Sequence, residues 1–157
     1  MIYSTATVPV NAPGQTPLTR AQAWEGLVRK ARDARLFFPP GECTRSEIIE
    51  ESRSHLVREA TILGHDITEI ITFEADRKIT FFQVISPREG AIVNELFEDA
   101  DGDLQLRFHA YLGLRDKTPN GPEEQAAQAW MDSENGFKAA IQSTLARTRE
   151  LVAEGRL

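Results

Sequence analysis

Between Glu42 and Arg115 the chain repeats one pattern six times: apolar and polar residues alternate, then a short turn signal intervenes. A period of two residues is the mark of a half-buried β-strand. The alternation predicts strands at about 43–52, 55–63, 67–74, 78–85, 91–98 and 104–115. The separators are Gly64-His65, Ala75-Asp76-Arg77, Pro87-Arg88-Glu89-Gly90 and Ala100-Asp101-Gly102. None has room for a crossover helix, so neighbouring strands should pair antiparallel.

Two helical regions flank this block. Residues 2–10 alternate and read as a further strand, and Asn11 to Pro17 reads as a loop. Thr19 followed by Gln22 forms a capping-box signature. Behind it Trp24, Leu27, Val28 and Ala31 recur at helical spacing, until Pro39-Pro40 ends this helix or a short second one. After a loop at 116–121, Pro122 suits a first helical turn, and Glu123 and Glu124 complement its positive end. Helical spacing then continues to about Glu154, with Trp130, Phe137, Ile141 and Leu145 near one stripe and a kink or break expected at Gly136. The expected architecture is α+β: a curved antiparallel sheet of about seven strands wrapped around a long C-terminal helix, with residues 1–157 as one domain.

Composition narrows the function. A formal net charge of −6 argues against nucleic acid and against an anionic membrane surface as partners. No apolar run is long enough to span a bilayer, and the N-terminus lacks the basic region of a signal peptide. Cys43 is the single cysteine, which excludes an intrachain disulfide and fits a reducing cytoplasm.

The faces of the strands carry an anomaly. With Gly64-His65 as the turn, Ile62 pairs with Ile67, Ala60 with Glu69, Arg58 with Ile71, and Leu56 with Phe73. One face then holds Leu56, Arg58, Ala60, Ile62, Ile67, Glu69, Ile71 and Phe73, so two charges stand in an apolar row as diagonal neighbours. The following turns set Phe73 against Ile79, Ile71 against Phe81, Glu69 against Gln83, Leu96 against Leu106, Asn94 against Phe108, and Ile92 against Ala110. The inward face is thus aliphatic and aromatic, with Arg58, Glu69, Gln83 and Asn94 as polar exceptions. A slip of one residue would instead turn Arg58 and Glu69 to solvent. If they face inward, two readings stay open: a structural ion pair, or a ligand site in which Arg58 orients an oxygen and Glu69 holds Arg58 or moves a proton.

The stretches VPVN (8–11), LTRAQAWEGLVRKARDARLFFPP (18–40), REATILG (58–64), IVNELF (92–97) and TRELVAEGRL (148–157) resemble a known family. The order of elements is similar to the helix-grip fold of the Bet v 1-like, START-related (SRPBCC) superfamily. Within it, the chain resembles the family named after the acetylaranotin biosynthesis cluster protein L. The resemblance implies a cavity between sheet and C-terminal helix that takes an apolar or aromatic small molecule. It leaves carrier, receptor, and cyclase or hydrolase open, since fold does not choose among them.

The expected ligand-binding residues are Arg58, Glu69, Ile71, Phe81, Gln83, Asn94, Phe108 and Trp130, the last either walling the cavity or packing helix on sheet as Trp24 does. No catalytic residue stands out. His55, His65 and His109 are scattered, so neither a metal nor another cofactor is expected. Cys43 reads as a bystander thiol. Arg29, Lys30, Arg32 and Arg35 read as a solvated basic face. The sequence leaves three functions: a binder of a hydrophobic small molecule in secondary metabolism, a cyclase or aromatase acting on a polyketide-like substrate, and a ligand-free interaction protein. It also leaves the oligomeric state open, a homodimer included.

Overall fold

The structure, a computed structural model, describes all residues 1–157. Seven strands form one antiparallel sheet: β1 (Ile2–Pro9), β2 (Cys43–Glu51), β3 (Leu56–Ile62), β4 (His65–Glu74), β5 (Lys78–Ile85), β6 (Arg88–Glu98) and β7 (Leu104–Leu114). Their spatial order is β1-β7-β6-β5-β4-β3-β2. Each strand from β2 to β7 therefore lies beside its neighbour in sequence, as short turns require, and β1 closes onto β7.

Helix α1 (Arg20–Arg32) starts at the expected capping box, with Thr19 and Gln22 exchanging side-chain and backbone bonds. A 3₁₀ turn (Ala34–Leu36) follows it. The C-terminal region is two helices, α2 (Pro122–Met131) and α3 (Phe137–Ala153), separated at the expected place. No helix is long and apolar enough to cross a membrane.

Helix α3 packs on β1 and β7 and against α1. The two helices meet closely at Gly26 of α1, where a Cβ would fall 2.3 Å from Thr148 Oγ1. Only glycine permits this approach. The apolar interior falls into two parts. The larger holds 15 buried residues, among them Leu56, Ile71, Ile79, Phe81, Phe108, Ile141 and Leu145. The smaller holds Ile2, Ala110, Leu112 and Met131. Ile92 and Phe137 are half-buried and touch both.

The β4–β5 and β6–β7 registers agree with the alternation and turn chemistry. The β3–β4 hairpin differs. Its turn is Leu63-Gly64, both with positive φ (50° and 78°), and Ile62 pairs with His65. Positive φ at both central residues is the type I′ arrangement, whose twist matches that of the strands, and here it prevails although Leu63 is a poor residue for it. Relative to a Gly64-His65 turn the register moves by two residues. A shift of two preserves every face, so the inward set is unchanged, but Arg58 comes directly opposite Glu69 rather than diagonal to it.

Ile141 is 0% exposed at the centre of the α3 stripe. Ile141→Ala should lower stability by about 2–5 kcal/mol through lost transfer energy and a residual cavity. Urea denaturation will measure this; a loss below about 0.5 kcal/mol, the range of surface substitutions, would mean that the stripe does not anchor the core.

Candidate functional site

The inward face carries one polar rung. Across the sheet, Arg58 of β3 stands opposite Glu69 of β4, and Glu69 opposite Gln83 of β5. All three are buried, at 4%, 5% and 7% exposure, where unpaired polar groups would be costly. Arg58 Nη2 donates to Glu69 Oε2 at 2.5 Å, and Gln83 Nε2 donates to Glu69 Oε1 at 2.8 Å. Both carboxylate oxygens are thus engaged by donors from neighbouring strands.

Arg58 also explains why a cation points inward. Its Nη1 donates to the carbonyls of Lys30 (3.0 Å) and Ala31 (2.9 Å) in the last turn of α1. Those carbonyls have no partner within the helix and carry its negative end, so a guanidinium is a suitable cap. Its carbon lies 5.6 Å from the centroid of the Phe81 ring. The Nε of Arg58 is the one buried side-chain polar atom of the chain without a hydrogen-bond partner.

A second polar point lies two rungs away. Asn94 of β6 is 2% exposed and pairs across the sheet with Ile79 and Phe108. Its Oδ1 accepts from Lys30 Nζ at 3.4 Å, and that ammonium lies 4.3 Å from the Phe108 ring centroid. Burial, reinforced by the Arg58 charge and opposed by Glu69, pushes the Lys30 pKa down to about 7. Lys30 forms no salt bridge, whereas Lys78 and Lys138 pair with Glu74 and Glu134.

Lys30 was expected on a solvated basic face, and the structure corrects this. Ala23, Gly26, Leu27 and Ala31 form a buried, core-facing stripe at i, i+3, i+4 and i+8, and the half-buried Lys30 occupies the i+7 position along it. The signal was present in Lys30's position, but charge composition masked it. The rest of the group behaves as a polar surface does: Arg32 pairs with Glu51, and Arg35 with Asp33. Arg88 was placed in a turn, yet β6 begins there. By alternation Arg88 continues the inward row of Gly90, Ile92 and Asn94. Desolvation pushes its pKa down, against the pull of Glu69.

Of the residues read from the sequence, Arg58, Glu69, Gln83 and Phe81 meet in one cluster, and Asn94 and Phe108 meet around Lys30. Ile71, 0% exposed, pairs with Leu56 and Phe81 in the core beside the rung. Trp130 is a correction: it is 62% exposed on α2 and belongs to neither part of the core. The break before α3 lets α2 follow its own direction, and the helix turns Met131 inward instead. Trp24 is buried in the main core. Burial raises the Cys43 thiol pKa, and its Sγ donates to the Arg45 carbonyl. His109 lies on the outer face beside Tyr111. Asp99, Asp101 and Asp103 bring carboxylates within 4.8 Å of one another in the β6–β7 turn. There Asp99 braces the turn, accepting from the Asp101 and Asp103 amides and from Gln105. Cavities of about 300 and 290 Å³ open elsewhere, beside α2 and beside the β6–β7 turn.

A curved sheet gripping a C-terminal helix, with a polar rung buried in its concave face, defines a helix-grip protein. The chain belongs to the acetylaranotin biosynthesis cluster protein L family, whose model matches residues 4–155. No curated protein sequence is matched. Among solved structures it is similar to the Zhui aromatase/cyclase from Streptomyces sp. R1128, at 20% identity and TM-score 0.69 over 96% of this chain and 94% of that one. It is also similar to Ara h 8.0201, at 12% identity and TM-score 0.61 over 94% and 97% of the two chains. A third likeness is to the di-domain ARO/CYC BexL from the BE-7585A biosynthetic pathway, at 15% identity and TM-score 0.60 over 95% of this chain and 49% of that one. At these identities the likeness is one of fold.

Two outcomes follow from the site. Arg58→Ala should destabilise the protein by about 3–5 kcal/mol, because Glu69 is left buried without its cation and α1 loses its cap. In a double-mutant cycle with Glu69→Ala, the coupling should be about 0.5–3 kcal/mol, and additivity would place the two side chains apart. The second outcome concerns pH. Lys30 titrates at about 7 in the fold, and at roughly 10.4 in the unfolded chain. Between these values the unfolded chain binds more protons, so stability should rise with pH from this group. The burden of the buried cation is fully present below about pH 7 and is relieved as pH climbs. Lys30→Met should flatten the slope between roughly pH 7 and 9 in thermal denaturation, a window below the lysine and tyrosine reference values.

Proposed function

We propose that the chain binds an apolar or aromatic small molecule between the concave sheet and α3, in a secondary-metabolism setting. The observation that carries this reading is the set of polar groups converging in an otherwise apolar interior, with one donor, Arg58 Nε, left unsatisfied. An apolar lining with a few fixed polar groups suits a ligand with an apolar body and one polar end. Arg58, Gln83, Asn94 and Lys30 supply the polar contacts. Glu69 holds Arg58 in place, and Ile71, Phe81 and Phe108 form the floor. Access is through the seam at Ile92 and Phe137, where the two parts of the core meet and burial is incomplete.

A second reading has its own support. An amine that sheds its proton near neutrality is a competent general base. Lys30 therefore favours catalysis of the cyclase or aromatase type on a polyketide-like substrate, consonant with the likeness to an aromatase/cyclase. In that reading Arg58 and Asn94 orient the flexible chain, and Lys30 removes a proton from a carbon beside a carbonyl.

Calorimetric titration with 1-anilinonaphthalene-8-sulfonate tests the pocket. The native protein should bind about one dye per chain, as a defined pocket does. Ile92→Trp should weaken binding about tenfold or more by filling the seam, while Asn94→Leu should retain the dye and change the preference among polar analogues. Near-UV circular dichroism will establish that each variant is folded. A folded wild type that binds no dye would reject the pocket and bring the ligand-free interaction role forward.

A further inference from the structure

We propose that Lys30 is a covalent anchor: its ε-amine forms an imine with an aldehyde or ketone carbon of an apolar ligand held against Phe108. The inference rests on the ligand-binding reading above and adds a residue, a bond and a ligand class to it.

Three observations carry it. First, the amine is inside the grip, on the core-facing stripe of α1, 3.4 Å from Asn94 Oδ1 and 4.3 Å from the Phe108 ring centroid. Second, no carboxylate lies within salt-bridge distance to hold it as an ammonium, unlike Lys78 and Lys138. Third, a buried and otherwise unpartnered donor, Arg58 Nε, belongs to the guanidinium that caps the same turn of α1. A ligand oxygen is the acceptor that this donor lacks. The amine is a nucleophile for a carbonyl carbon, and the Arg58 guanidinium is a donor for a second polar group elsewhere on the same ligand. The low proton affinity of Lys30 agrees with this, since only the free amine attacks a carbonyl.

The step balances without any co-reactant. The nitrogen lone pair adds to the carbonyl carbon, forming the C–N bond, while the carbonyl oxygen takes up a proton. The resulting carbinolamine loses its hydroxyl group with a further proton as water. The amine has then exchanged both of its hydrogens for a C=N double bond, and nothing is oxidised or reduced. Water restores the free lysine by the reverse path, so the bond is reversible. The Phe108 face and the aliphatic floor select carbonyl compounds with a flat or branched apolar body.

The test is reductive trapping. Wild-type protein is incubated at pH 7 with 2-naphthaldehyde and sodium cyanoborohydride, and the products are read by intact mass and peptide mapping. The chain has four lysines, Lys30, Lys78, Lys117 and Lys138, so the position of each adduct can be resolved. An exposed lysine at pH 7 is unprotonated in roughly one molecule per thousand or fewer, so Lys30 should be modified about tenfold faster or more than Lys117. An excess of 2-naphthalenemethanol, which has the same ring but no carbonyl, should protect Lys30 and leave the slow reaction at Lys117 unchanged. Lys30→Met and Lys30→Arg, each shown to be folded by near-UV circular dichroism, should yield no fast adduct. If wild type binds the dye but modifies Lys30 no faster than Lys117, the imine proposal fails and the pocket stands. If the folded wild type neither binds the dye nor traps the aldehyde at Lys30, both fall.

Discussion

The guanidinium of Arg58 joins three parts of this molecule that have no covalent reason to meet. One nitrogen binds the otherwise unpaired carbonyls at the end of α1, and another binds the carboxylate of Glu69 on the next strand. Through Glu69 the connection reaches Gln83 and the centre of the sheet. A helix end has unsatisfied acceptors and partial negative charge, and a concave apolar sheet offers nothing to meet them. An inward arginine does. Its charge then requires a counter-charge from within the sheet, and Glu69 stands directly opposite. The position of α1 over the sheet therefore depends on a charged rung in a face that hydrophobicity alone would have made aliphatic.

Such a rung is a poor source of stability in itself. Desolvating an arginine and a glutamate costs several kcal/mol each in order of magnitude, and their mutual attraction together with hydrogen bonds offsets this only when geometry is good. Here both oxygens of Glu69 and two of the three Arg58 nitrogens are engaged. What the rung gains is placement: it fixes the register of three strands against one helix. It also fixes the last turn of α1, and with it Lys30, whose own carbonyl accepts from Arg58.

The interior is thereby arranged in bands. Aliphatic and aromatic rows run on either side of the rung, and Lys30 reaches over Phe108 to Asn94 from the helix side. The core is nearly continuous but divides at Ile92 and Phe137, which are only half-buried. Polar groups near a divided apolar core are costly for a purely structural interior and useful for one that receives a ligand. The buried rung, the unsatisfied Arg58 Nε and the low proton affinity of Lys30 are three consequences of placing polar atoms where water is scarce.

Much of this was legible in one dimension. Strand periodicity and short turns determined an antiparallel meander, and the capping box at Thr19 and Gln22 determined where α1 begins, because these are local properties of a few neighbouring residues. The inward positions of Arg58, Glu69, Gln83 and Asn94 were legible too, since a two-residue register shift leaves a strand's faces unchanged. What they touch was not. The exchange of a Gly64-His65 turn for Leu63-Gly64 turned a diagonal pair into a direct one, a choice made by strand twist. Helix placement was least legible. Trp130 has the composition of a buried residue and lies exposed, because the chain breaks before α3; Lys30 has the composition of a surface residue, yet its half-buried side chain reaches Asn94 and Phe108, because α1 faces the sheet with that side. Periodicity tells which residues share a face, but only the packing of one element on another decides what that face meets.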